Sequence, residues 1–105
     1  MYISGGENVY PAEVEAAIAE LAQVGECAVV GVPDARWGEV GRVYVIPVPG
    51  RSMTPAEVLA HCTQRLAKFK VPKSAVITDR LPRTASGKVQ KHLLKQRAIE
   101  EMSAP

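Results

Sequence analysis

Two valine-rich runs constrain the fold of this chain more than any other feature. The first, Cys27-Ala28-Val29-Val30-Gly31-Val32, stops at Pro33-Asp34. The second, Val43-Tyr44-Val45-Ile46-Pro47-Val48, stops at Pro49-Gly50. Such short apolar runs, rich in β-branched residues and closed by turn residues, have strand length and strand chemistry. Both are expected to be strands, the first one buried. Pro47 has no N–H to give to a ladder, which places it at a sheet edge or a strand end.

Helical patterns surround these runs. Pro11 opens one at its first position, where a missing N–H costs nothing. Val14, Ala17, Ile18 and Leu21 then recur at i, i+3, i+4 and i+7 and define one apolar face. Glu13 and Glu15 suit the positive end of that helix, and Gly25 lies beyond it. Thr54-Pro55-Ala56-Glu57 reads as a capping box with proline at N1. The helix it starts should bury Val58, Leu59, Cys62 and Leu66. Residues 74–78 predict a third strand. Residues 89–102 predict a last helix, with Leu93, Leu94 and Ile99 apolar and Lys91, Lys95 and Arg97 on a solvated face. Residues 103–105 read as a frayed tail. The expected fold is α+β, a small three-stranded sheet flanked by helices, forming one domain over residues 1–105. The pattern does not reveal the strand order.

A chain of 105 residues supports one modest core. A formal net charge of +2 and scattered aromatics argue against a nucleic-acid binder. No apolar run reaches the length of a membrane span, and no signal-peptide pattern follows Met1, which points to the cytoplasm. Cys27 and Cys62 sit in apolar surroundings without metal spacing and are expected to be buried free thiols. His61 and His92 have no ligand partners at useful spacing, so no metal site is expected.

Three stretches carry chemistry instead. Leu81-Pro82-Arg83-Thr84-Ala85-Ser86-Gly87-Lys88-Val89-Gln90-Lys91 has no apolar periodicity and reads as a loop. Thr84 and Ser86 make its middle polar, Gly87 permits positive φ, and Lys88 stands at its end. A Walker A loop is excluded, because Pro82 and Val89 occupy positions that need glycine and Ser or Thr. Gly5-Gly6 is either a tight turn or a wall where backbone approaches a thin substrate. Trp37 in the loop of residues 35–41 is either a lid over the core or a stacking platform. Lys68-Phe69-Lys70-Val71-Pro72-Lys73 interleaves cations with an aromatic. It is either a solvated connector or a docking patch for a phosphorylated nucleotide.

The stretch from Leu81 to Lys91 resembles the C-terminal signature of adenylate-forming enzymes: acyl-CoA synthetases, adenylation domains of peptide synthetases, and luciferases. Ile3-Ser4-Gly5-Gly6-Glu7-Asn8-Val9-Tyr10-Pro11 resembles a second signature of that superfamily. The resemblance covers nearly the whole chain, but only the small mobile C-terminal domain of such an enzyme. It implies ATP-dependent activation of a carboxylic acid to an acyl-adenylate and then to acyl-CoA. It makes Lys88 the catalytic lysine of adenylation, on a loop with Thr84, Ser86 and Gly87. It makes Gly5, Gly6, Glu7 and Asn8 the lining of the channel for the pantetheine thiol. It matches Trp37, Phe69, Lys70 and Lys73 to regions where relatives hold the nucleotide end of CoA; Val71 stands where some carry a cation. ATP, Mg2+ and CoA would serve the full enzyme. The ATP phosphate loop, the magnesium site, the acyl pocket and the hinge are expected in a preceding N-terminal domain, the partner of this one. The domain alone is expected to be inactive. Gly-Gly-Glu-Asn-Val-Tyr-Pro resembles the acyl-CoA synthetase version of its signature. The alternatives are a separate module that docks CoA or a partner, and an adenylation domain that hands its acyl group to a carrier protein.

Overall fold

The computed structural model describes residues 1–103; Ala104 and Pro105, the end of the expected tail, lie outside the described residues. In chain order the elements are β1 (Tyr2–Ser4), β2 (Glu7–Val9), α1 (Pro11–Ile18), β3 (Val24–Asp34), β4 (Gly38–Pro47), α2 (Pro55–Arg65), β5 (Ser74–Ile77) and α3 (Lys91–Ser103). A short 3-10 turn covers Lys68–Lys70.

The two valine runs are the centre of the sheet, and both strands are longer than the runs. β3 and β4 form a long antiparallel hairpin in which Val29 faces Val43 and Gly31 faces Gly41. The loop between them is only residues 35–37, because residues 38–41, expected in the loop, continue β4. Pro47 is the last residue of β4, a strand end as expected. The other edge of β4 is shared: β1 joins it at Gly38 and β5 runs parallel to it from Arg42 to Val45. A parallel neighbour needs a crossover, and α2 supplies it.

The sheet therefore has five strands, in the order β2-β1-β4-β3 with β5 also on β4. The expectation of three missed β1 and β2. Each is three residues long, too short for alternation to register as a pattern. They pair around Gly5-Gly6, and their first pair, Tyr2 and Val9, is buried.

Alternation along β3 and β4 divides the core in two. Val29, Val43 and Val45 pack with Val14, Ile18, Val58 and Cys62 beneath α1 and α2. Ala28, Val30, Val32 and Tyr44 pack with Leu94 and Ala98 beneath α3. Helix α1 ends at Ile18, so Leu21 completes the apolar cluster from outside the helix. The capping box of α2 forms as read: Thr54 Oγ1 accepts from the Glu57 N–H at 3.2 Å, and the Glu57 carboxylate accepts from the Thr54 N–H at 2.8 Å.

Gly31 and Gly41 create a slot for Tyr2. A Cβ at Gly31 would stand 2.5 Å from Tyr2 Cβ, and one at Gly41 would stand 2.4 Å from the Tyr2 hydroxyl. Burial, with Glu39 adding to it, pushes the Tyr2 phenol up to about 12. Both cysteines are free, but only Cys62 is buried as expected; Cys27 is half-buried, at the rim of the apolar cluster. Burial pushes both thiols up to about 11.

Helix α3 corrects the expectation of a solvated basic face. Leu94 and Ala98 are its buried residues, while Leu93 and Ile99 stay exposed. The Lys91 ammonium donates to the Val29 carbonyl at 2.8 Å and pairs with the Glu15 carboxylate. Glu15 in turn accepts from the Val29 N–H at 2.9 Å. Two charged side chains thus satisfy the open edge of β3 at Val29, and charges on an edge discourage pairing with another strand. Arg97 lies 4.8 Å from the Tyr44 ring centroid and reaches Glu101 at 3.0 Å, and the Tyr44 hydroxyl donates to Glu101 at 2.6 Å. Lys95 meets Glu39 at 3.3 Å.

Candidate functional site

Two loops at opposite ends of the β3–β4 hairpin carry the chemistry-bearing residues. The first is the β1–β2 turn. Gly5 and Gly6 both have positive φ, +58° and +84°, the left-handed region that favours glycine. The Gly5 N–H donates to the Trp37 carbonyl at 2.8 Å. A Cβ on Gly5 would stand 2.9 Å from Trp37 Cε3, whereas one on Gly6 would meet nothing within 4 Å. Gly5 is held from within the domain, and Gly6 faces open space. Glu7 and Asn8 are exposed and start β2.

Trp37 closes the loop at this end. Asp34 Oδ1 accepts from the N–H groups of Arg36 and Trp37, both at 2.9 Å. Asp34 Oδ2 meets the Lys73 ammonium at 2.9 Å. The Lys73 hydrogen bond, then the two backbone donors, hold the Asp34 carboxyl down at about 2, so this junction stays charged throughout the neutral range.

A groove of about 870 Å³ runs beside the turn. Gly5, Trp37, Leu66, Lys68, Phe69 and Lys73 are among its lining residues. Trp37 and Phe69 are 44% and 39% exposed, so neither is a sealed core residue. Of the lysines singled out from the sequence, Lys70 is turned to Glu13 at 2.9 Å and Lys73 is shared with Asp34. Lys68 lines the groove without an ion pair among the described residues. The sequence signal for Lys68 was the same as for its neighbours; only the acidic partners distinguish them. Glu13, like Glu15, is occupied by a tertiary partner rather than by the helix end alone.

The second loop is residues 84–88. A bridge between Arg83 and Val89 closes it. The Thr84 N–H donates to the Lys88 carbonyl at 2.8 Å, and the Gly87 N–H donates to the Thr84 carbonyl at 2.9 Å. Thr84 Oγ1 accepts from the Lys88 N–H at 3.1 Å and lies 2.9 Å from Ser86 Oγ. Gly87 has φ +91°. Arg83 ties the stem to Glu26 at the start of β3, and Lys91 ties the other side to Glu15. Lys88 itself is exposed and has no hydrogen-bond partner for its ammonium among the described residues. The arrangement is a braced frame presenting one unpaired cation. The bracing residues Arg83 and Lys91 belong to the signature; of their partners, Glu15 was read only for the helix end and Glu26 carried no sequence signal.

Glu26 and Asp34 lie near opposite ends of β3. At strand rise, the eight residues between these two anchors span roughly 25 Å. Among the described residues, no three of His, Cys, Asp or Glu gather to hold a metal ion. No helix of the described residues is long and apolar enough to cross a membrane.

The family model for the AMP-binding enzyme C-terminal domain matches residues 13–88. A CoA ligase for 3-[(3aS,4S,7aS)-7a-methyl-1,5-dioxo-octahydro-1H-inden-4-yl]propanoate from Rhodococcus jostii is 58% identical over 91% of this chain and 19% of its own. A feruloyl-CoA synthase from an Amycolatopsis species is 54% identical over 92% of this chain and 20% of its own. Among solved structures, ATP-bound MatB from Rhodopseudomonas palustris matches with a TM-score of 0.88 at 42% identity, over 92% of this chain and 19% of that one. The chain belongs to the AMP-binding enzyme C-terminal domain family of the acyl-CoA ligases. It spans about a fifth of the length of the curated relatives it matches.

Proposed function

We propose that this chain is the mobile C-terminal domain of an acid–CoA ligase and serves each half-reaction with a different end of its hairpin. In the first, a carboxylate oxygen attacks the α-phosphorus of ATP, the bond to the leaving oxygen breaks, and pyrophosphate departs. Two anions must approach each other, and a positioned cation offsets that repulsion. Lys88 supplies it, from a loop braced by Thr84, Ser86, Gly87 and Arg83. In the second, the thiol sulfur of CoA attacks the acyl carbon. The C–O bond to AMP breaks, AMP leaves with the electron pair, and the thiol proton passes to solvent. The Gly5-Gly6 turn, with Glu7 and Asn8 beyond it, lines the path of the pantetheine arm. The observation that carries this reading is the anchoring of the two loops near opposite ends of β3, one through Arg83 on Glu26 and the other through Trp37 beside Asp34. The domain must present one end and then the other to a site on a partner domain.

The test is a chimera carrying this chain behind the N-terminal part of the Rhodococcus jostii ligase. The chimera should perform both ATP–pyrophosphate exchange and thioester formation, and the 105-residue chain alone should perform neither. Exchange catalysed by the chain alone would locate the nucleotide site within these residues and overturn the proposal.

The groove beside the turn is the proposed seat of the nucleotide end of CoA, with Phe69 as the aromatic surface and Lys68 and Lys73 as cations. In the chimera, Phe69→Ala should raise the KM for CoA. The expected loss is about 1–3 kcal/mol, the worth of one base–aromatic stack. The KM for ATP should stay fixed. An equal change in both would identify Phe69 as a structural residue only.

A further inference from the structure

We propose that Trp37 is a positioning residue for the glycine turn: its ring and carbonyl hold Gly5, so that Gly6 presents a fixed wall to the acyl acceptor. This deepens the proposed function and rests on it for the identity of the acceptor.

The β1–β2 hairpin is too small to fix its own turn. Its strands have three residues each, and β1 meets β4 at the single pair Ser4 and Gly38. Isolated hairpins of this size are marginal in water. Tyr2 and the Ile3 N–H, which donates to Glu39 Oε1 at 3.2 Å, hold the base of the hairpin, and the turn itself meets the residue just before Gly38. The Gly5 N–H donates to the Trp37 carbonyl at 2.8 Å, and the indole edge lies where a Gly5 Cβ would be, 2.9 Å from Cε3 and 3.3 Å from Cζ3. Trp37 is itself fixed. Asp34 takes its N–H, Lys73 fixes Asp34, and the Arg36 guanidinium sits 4.8 Å from the ring centroid. Yet the side chain is 44% exposed and belongs to neither apolar cluster of the core. A large aromatic that contributes so little to the core, and whose edge meets a positive-φ glycine, serves the turn.

The coupling has a steric signature. Gly5→Ala should disturb the turn by collision with the indole as well as by its φ of +58°. In a Trp37→Ala background the collision is gone and only the backbone cost remains. Gly6→Ala, which meets nothing within 4 Å, should show no such dependence on Trp37.

The experiment has two arms. The first is amide hydrogen exchange on the 105-residue chain. Trp37→Ala should speed exchange of the Gly5 N–H by tenfold or more, while Trp37→Phe, which keeps a ring, should retain most of the protection. The second is thioester formation by the chimera from pre-made acyl-adenylate, with CoA and with pantetheine as acceptors. A loosened wall misplaces the thiol whichever acceptor carries it, so Trp37→Ala should lower kcat on the order of tenfold with both. Trp37→Phe should restore the rate with both. A defect confined to the KM for CoA and absent with pantetheine would make Trp37 a contact for the nucleotide instead, and would overturn the proposal. Unchanged Gly5 exchange in Trp37→Ala would overturn it as well. If the unsubstituted chimera transfers its acyl group to neither thiol, the proposed function fails, while the exchange arm still decides whether Trp37 holds the turn.

Discussion

Lys88→Ala in the chimera should cut acyl-adenylate formation on the order of a hundredfold or more, if its charge matters as much as one oxyanion-hole donor. The structure makes the variant clean. Lys88 is exposed, and its ammonium has no partner among the described residues, so its loss leaves no orphaned charge behind. The loop is braced by main-chain groups, Thr84, and the tethers from Arg83 and Lys91, none of which depends on the Lys88 side chain. Folding stability should therefore stay within about 0.5 kcal/mol, as for an ordinary surface substitution. Pyrophosphate exchange and thermal unfolding of the same variant check both halves of the statement. A large fall in stability would mean that the lysine is structural.

Gly31→Ala should be the most destabilising single methyl in the sheet. The new Cβ would stand 2.5 Å from Tyr2 Cβ and 2.6 Å from Cγ, atoms that cannot swing away as a flexible tip can. Either β1 shifts or the Tyr2 ring leaves its slot. Overpacking of this kind costs about 1–3 kcal/mol, and losing the burial of an aromatic adds a similar amount. Against a total of roughly 5–15 kcal/mol for a typical domain, that is a large share. Gly41→Ala offers an internal check, because its collision is with the Tyr2 hydroxyl at 2.4 Å. Tyr2→Phe should relieve most of it. Denaturant unfolding of the single and double variants measures both effects. A Gly31→Ala chain as stable as the parent would mean that Tyr2 does not fill the slot.

The parts of this fold written in local chemistry were legible. The valine runs gave β3 and β4, and the Thr54–Glu57 box gave the start of α2. The turn residues at Gly5-Gly6 and around Gly87 marked the loops, and all three glycines do adopt positive φ. What stayed hidden depends on partners distant in sequence. Strands β1 and β2 exist because Tyr2 finds Gly31 and Gly41. Lys91 looked like a solvated cation until Glu15 and the Val29 carbonyl were brought beside it. Lys70 and Lys73 read as two free charges, and only the fold shows Glu13 and Asp34 holding them. That the two loops belong to different faces was implied only by the family resemblance, and their anchoring at Glu26 and Asp34 on β3 was not readable from the residues.

Assaying the two half-reactions separately in the chimera, with Lys88→Ala and Gly6→Leu side by side, tests the division of labour most directly. Gly6→Leu places its side chain in space that is open within this domain, at a φ of +84° that costs on the order of 1–2 kcal/mol. It should obstruct the thiol's path and leave pyrophosphate exchange nearly intact. Lys88→Ala should do the reverse, losing adenylation while thioester formation from pre-made acyl-adenylate survives. If instead both variants depress both steps to the same degree, the two ends of the hairpin do not serve separate half-reactions, and these loops only hold the domain together.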